Sequence, residues 1–117
     1  MATSIIKDLN AISPTIISGD DFPSNSYVDF DNTYTSLVYT RNMAIFQFNM
    51  TAKQEIAAYT IFLTLPDSIA PRVSLAIPIY RTGSFIGTMR IQSNGGMRPE
   101  MVIPNGTTFE GYVCFIR

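Results

Sequence analysis

Residues 85–103 read Phe85-Ile86-Gly87-Thr88-Met89-Arg90-Ile91-Gln92, then Ser93-Asn94-Gly95-Gly96, then Met97-Arg98-Pro99-Glu100-Met101-Val102-Ile103. Phe85, Gly87, Met89 and Ile91 alternate with Ile86, Thr88, Arg90 and Gln92. Beyond the break, Met97, Pro99, Met101 and Ile103 alternate with Arg98, Glu100 and Val102. Successive side chains of a strand point to opposite faces, so this period of two around a glycine-rich break predicts a β-hairpin with one dry and one wet face. Residues directly opposite share a face, and apolar must therefore meet apolar. A two-residue Asn94-Gly95 loop would set Ile91 against Arg98. A three-residue loop, Asn94-Gly95-Gly96 with Gly96 at positive φ, sets Met89 against Met101 and Arg90 against Glu100, and is the register expected. The wet face then carries Thr88, Arg90, Gln92, Arg98 and Glu100.

Outward from the hairpin, the same period recurs. Leu37 and Tyr39 face one way, then Ala44, Phe46, Phe48 and Met50 alternate with Gln47, Asn49 and Thr51. A two-residue turn at Arg41-Asn42 matches Leu37 with Phe46 and Tyr39 with Ala44, with Asn42 suited to a left-handed conformation. Residues 58–65 predict a strand with Ile61, Leu63 and Leu65 on one face and Phe62 on the other. Residues 74–80 predict another, with Leu75, Ile77 and Ile79 inward. Pro78 has no N–H to donate, which makes that strand an edge or gives it a bulge. Pro104-Asn105-Gly106 is a turn, and residues 109–116 close the chain as a strand. Residues 1–33 are the least regular: a helical turn around Ile5, Ile6 and Leu9 ends at Ser13-Pro14, and Ile16-Ile17 starts a short strand. A loop follows, with Tyr27, Val28 and Phe30 tucked beneath it. The expected fold is all-β, a small antiparallel barrel or sandwich of about six or seven strands.

Bulk properties narrow the function. The chain has 117 residues, 46% hydrophobic and 15% charged, enough for one folded core. Its net charge is −1 and its eight basic residues are scattered, which argues against a nucleic-acid surface. Uncharged runs such as residues 56–66 are too short to span a bilayer, and no signal peptide opens the chain. One cysteine excludes an internal disulfide framework; Cys114, between Val113 and Phe115, is expected as a small buried hydrophobe. There is no histidine, which removes imidazole-based triads and metal sites together.

Carboxylates are the remaining catalytic candidates. Asp20, Asp21, Asp29 and Asp31 crowd one region, and such a group can hydrolyse a glycoside or hold Ca²⁺. Solvated loop acids are the commoner use of such residues, and no metal, cofactor or enzymatic activity is expected. The two matches to the glycosylation sequon, Asn49-Met50-Thr51 and Asn105-Gly106-Thr107, carry little weight without a secretion signal. Arg90 facing Glu100 can anchor a polar ligand, or be an ordinary cross-strand pair worth under about 1 kcal/mol.

The second half of the chain carries a resemblance. Phe46-Gln47-Phe48-Asn49, Leu65-Pro66, Ala70-Pro71-Arg72, then Met89-Arg90-Ile91-Gln92-Ser93-Asn94-Gly95-Gly96 and a closing C-terminal strand resemble the head domain of receptor-binding proteins from tailed phages, the lactococcal siphophage group in particular. The likeness runs over residues 34–117. It implies a β-barrel head that forms a homotrimer at the tail tip, attached to the rest of the tail or baseplate. Residues 1–33 would then lead in from the neck. Such heads bind saccharide or phosphorylated polysaccharide of the host cell wall. In the relatives the matching hairpin carries a His, an Asp and a Trp at the sugar site, and here Thr88, Arg90 and Glu100 stand in their places. An Arg suits a phosphodiester, while the absent Trp removes a stacking platform. Arg90 and Glu100 are therefore the first expected ligand contacts, with Thr88, Gln92 and Arg98 next. Phe62, Ile86, Val102 and Ile116 fall on outer faces. They mark either a subunit interface or a second packed sheet. The alternatives are a structural trimeric component of the virion and a polysaccharide-degrading tailspike.

Overall fold

The computed structural model describes residues 14–117. Among these residues nine strands form one antiparallel sheet: β1 (Thr15–Ser18), β2 (Val28–Phe30), β3 (Ser36–Tyr39), β4 (Met43–Ala52), β5 (Leu63–Thr64), β6 (Leu75–Arg81), β7 (Ser84–Ile91), β8 (Gly96–Pro99) and β9 (Thr108–Ile116). The order is β1-β3-β4-β9-β6-β7-β8-β5, with β2 added on β4, and the sheet curls into a half-barrel. The all-β expectation holds. The count exceeds six or seven because short segments pair too: β1 lies against β3 and β2 against β4, so Thr15–Ser18 and Val28–Phe30 belong to the same sheet. The helical turn expected around Ile5 lies outside the described residues.

Strands β4 and β9, nine residue pairs long, form the spine. Ala44, Phe46, Phe48 and Met50 of β4 and Phe109 and Phe115 of β9 are buried, as their alternation requires. A run of aromatic contacts threads the interior, from Phe22 to Phe46 (5.8 Å between centroids), Phe46 to Phe48 (5.2 Å), Phe48 to Phe109 (6.3 Å) and Phe109 to Phe62 (6.2 Å). Each fully buried ring contributes about 1.5–3 kcal/mol over an exposed one, so this run is the energetic centre of the fold. The β3–β4 hairpin has the expected register, Leu37 opposite Phe46 and Tyr39 opposite Ala44. Its turn differs: neither Arg41 nor Asn42 adopts positive φ. Thr40 closes it, its N–H donating to Met43 O (2.8 Å) and its hydroxyl accepting from Met43 N–H (3.3 Å).

The β7–β8 hairpin departs from the expected register by two residues. The three-residue loop is Ser93-Asn94-Gly95, with Gly95 rather than Gly96 at positive φ (86°). Gln92 N–H donates to Gly96 O and Gly95 N–H to Gln92 O, each at 2.8 Å. Ile91 therefore faces Met97, Met89 faces Pro99, and Arg90 faces Arg98, not Glu100. The faces keep their parity because the shift is even. Tertiary contact decides the choice: a Cβ at Gly95 would stand 2.7 Å from Ile69 O, so the turn folds down onto the 66–70 loop at the one residue able to allow it.

Alternation fails in two places. The register slips between Ile79 and Tyr80, leaving Ile86 as the extra residue of a bulge in β7. Ile86 consequently packs against the core, and Phe85, expected inward, is exposed against Tyr80 (6.1 Å, edge-on). Residues 58–62 are not a strand: Tyr59 has φ 65° and Thr60 N–H turns back to Ala57 O (3.2 Å), so Phe62 and Leu63 are both buried while Ile61 is exposed. Of the four residues expected outward, Phe62 and Ile86 are therefore inside, and Val102 and Ile116 remain out. Cys114 is exposed rather than buried, because β9 turns Phe109 and Phe115 inward and Cys114 sits on the opposite face.

Candidate functional site

Thr88 and Arg90 occupy alternate positions of β7, Gln92 follows at its end, and Arg98 lies opposite Arg90 on β8. Glu100 follows β8, with its N–H donating to Thr88 O (2.9 Å). All five expected ligand-contacting residues thus share one face, each half-buried. Two arginines directly opposite repel, and the face resolves this in two ways. Arg90 Nε reaches diagonally to Glu100 Oε1 at 3.4 Å, so the anticipated partnership forms despite the shifted register. The Arg98 guanidinium instead lies over the ring of Tyr59, 5.4 Å from its centroid. Arg98 Nε is buried there without a hydrogen-bond partner among the described residues.

Tyr59 is the residue that sequence reading missed. It sits in the interrupted 53–62 segment, is 60% exposed, and is held by its N–H donating to Pro99 O (2.7 Å). It returns an aromatic ring to a face that lacks Trp. Nothing local marks it, since its place depends on the left-handed kink at its own backbone. The resulting surface carries two guanidinium groups against one carboxylate. It is flanked on β6 by Ala76 and Pro78, which pair with Arg90 and Thr88.

On the other side of β6 the sheet opens. β6 joins β9 at one residue pair, Tyr80 opposite Glu110, as expected where Pro78 cannot donate. The divergence leaves a groove of about 680 Å³ floored by Phe48 and Gly111. A Cβ at Gly111 would lie 2.8 Å from the Phe48 ring and 3.1 Å from Pro78 O, so only glycine lets Phe48 pack this closely beneath β9. Tyr34, Tyr80, Tyr112, Gln47, Asn49 and Glu110 stand around it. Asn49 Nδ2 donates to Glu110 Oε2 at 3.5 Å.

Three of the four clustered acids of the N-terminal half serve local structure. Asp21 accepts from the N–H and hydroxyl of Ser18 (3.3 and 3.0 Å) and Asp31 from the N–H groups of Thr33 and Tyr34 (2.9 and 3.1 Å). Asp29 pairs with Lys53 at 3.7 Å. Among the described residues no group of three or more His, Cys, Asp or Glu stands where it would hold a metal ion, and no helix is long and apolar enough to cross a membrane. Comparison with protein-family models gave no match, and neither did comparison with curated proteins.

Proposed function

We propose that this chain is a non-enzymatic adhesin, the receptor-binding head of a phage tail protein, which recognises saccharide on the host cell surface from the tail tip. The observation that carries the reading is the face built by Arg90, Arg98, Glu100 and Tyr59. It combines anion-binding forks and an acceptor on an antiparallel hairpin with an aromatic ring held against it by the 53–62 segment. Two guanidinium groups favour a phosphodiester-bearing wall polymer over a neutral one. Three of the four carboxylates that a polysaccharide-degrading enzyme would use, Asp21, Asp29 and Asp31, are engaged as turn acceptors and in an ion pair.

A homotrimer is part of the proposal. Ile16, Val38, Ile45 and Cys114 pair in sequence across β1, β3, β4 and β9, forming an outward row beside Met43 and Ile116. Exposed apolar surface of this extent suits a subunit contact better than water. The same row favours the second reading, a purely structural virion trimer, which would assemble yet bind no glycan. Titrating the purified protein onto host cell walls against free sugars and glycerol phosphate separates the two. Saturable binding displaced by glycerol phosphate, with no product released, is the expected result. Absence of binding while the trimer is intact would sink the adhesin.

A further inference from the structure

From the groove between β6 and β9, we infer a second binding site, one for a neutral pyranose sugar. Its volume, about 680 Å³, falls in the range of small-molecule sites, roughly 300–1,000 Å³. Three tyrosines border it. Tyr112 is 74% exposed and Tyr34 58% exposed, so large apolar rings are held in water where folding does not require them. One face of a pyranose ring presents C–H groups that pack on such rings, while its edge presents hydroxyls.

Polar partners for those hydroxyls stand beside the rings. Gln47 lies opposite Tyr112 and Asn49 opposite Glu110 in the β4–β9 register. The amide of Asn49 and the carboxylate of Glu110, 3.5 Å apart, give a donor and an acceptor side by side, the pairing that vicinal hydroxyls require. Glu110 is the only charged side chain among the residues lining the groove, so it repels phosphate and selects a neutral ring. The strands behind the groove are tightly packed: Gly111 lets the fully buried Phe48 ring lie directly against β9 on the inner face.

This assignment stands on the groove's own geometry and does not rest on the arginine face across β6. The two differ in charge, and their tests separate. The probes are methyl glycosides of glucose, galactose and N-acetylglucosamine, with glycerol 3-phosphate as the anionic control, followed by amide NMR of the full chain. At about 20 mM, well above a Kd of roughly 1 mM, at least one neutral glycoside is expected to shift Gln47, Glu110 and Tyr112. Tyr112→Ala, at an exposed position that folding tolerates, should weaken that binding about tenfold. Arg90→Ala should leave it unchanged. The inference falls if no neutral glycoside moves groove resonances, if Tyr112→Ala leaves affinity within about twofold, or if neutral sugars act through the arginine face. Shifts at Arg90 and Arg98 with glycerol phosphate alone would support the adhesin and discard the groove.

Discussion

At single residues, backbone geometry and close contact decide more than polarity. Gly95 has φ 86° and its missing Cβ would meet Ile69 O at 2.7 Å; Gly106 has φ 84° with open space around it. Gly106→Ala should therefore cost only the left-handed penalty, about 1–2 kcal/mol. Gly95→Ala should cost that plus displacement of the 66–70 loop, about 3 kcal/mol or more. Urea midpoints of the two variants check the ordering, and equal losses would mean the loop gives way freely. Tyr39 offers a pH test. Its hydroxyl donates to the Asp67 carboxylate, which together with partial desolvation raises its pKa above the usual 10.0, against smaller opposing effects of Thr15 and Arg117. The protonated phenol is the form the fold favours. Its contribution is thus complete below about pH 10 and is lost as pH rises through the raised value. Tyr39→Phe should flatten this alkaline loss in thermal unfolding.

At the scale of elements, the β7–β8 hairpin carries the polar face without depending on it. The Arg90–Glu100 contact is partly solvated, so Arg90→Ala should change stability by under about 1 kcal/mol, leaving Tm nearly constant. Cell-wall binding by the same variant should fall clearly. A variant that binds as well as the parent removes Arg90 from the site. Much of this element was legible in advance: alternation of Met89 and Ile91 with Thr88, Arg90 and Gln92 showed the wet face and its members. The register was not. Moving the three-residue loop by one position preserves every face, so polarity alone cannot choose between the two registers. The contact between Gly95 and the 66–70 loop does. Tyr59 was hidden for a similar reason, since a left-handed kink redirects residues that read as a strand.

For the whole molecule, the outward row Ile16, Val38, Ile45 and Cys114 makes the assembly prediction specific. Sedimentation at micromolar concentration should give a trimer for the native chain. Ile45→Lys places a charge at the centre of the row, on an exposed position 48% accessible, and should yield folded monomer. A native monomer would remove the trimer from the proposal.

Composition and periodicity by themselves determined an all-β antiparallel fold, the β3–β4 pairing, the closing strand and the five-residue polar face. These follow from local chemistry: a strand's two faces are written in alternate residues, and Pro78 forfeits its hydrogen bond wherever it stands. The tertiary structure decided the rest. It set the hairpin register, brought Tyr59 beneath Arg98, turned Phe62 and Ile86 inward, and opened the groove where β6 parts from β9. Each depends on contact between segments far apart in the chain, and such contacts leave no period in the sequence.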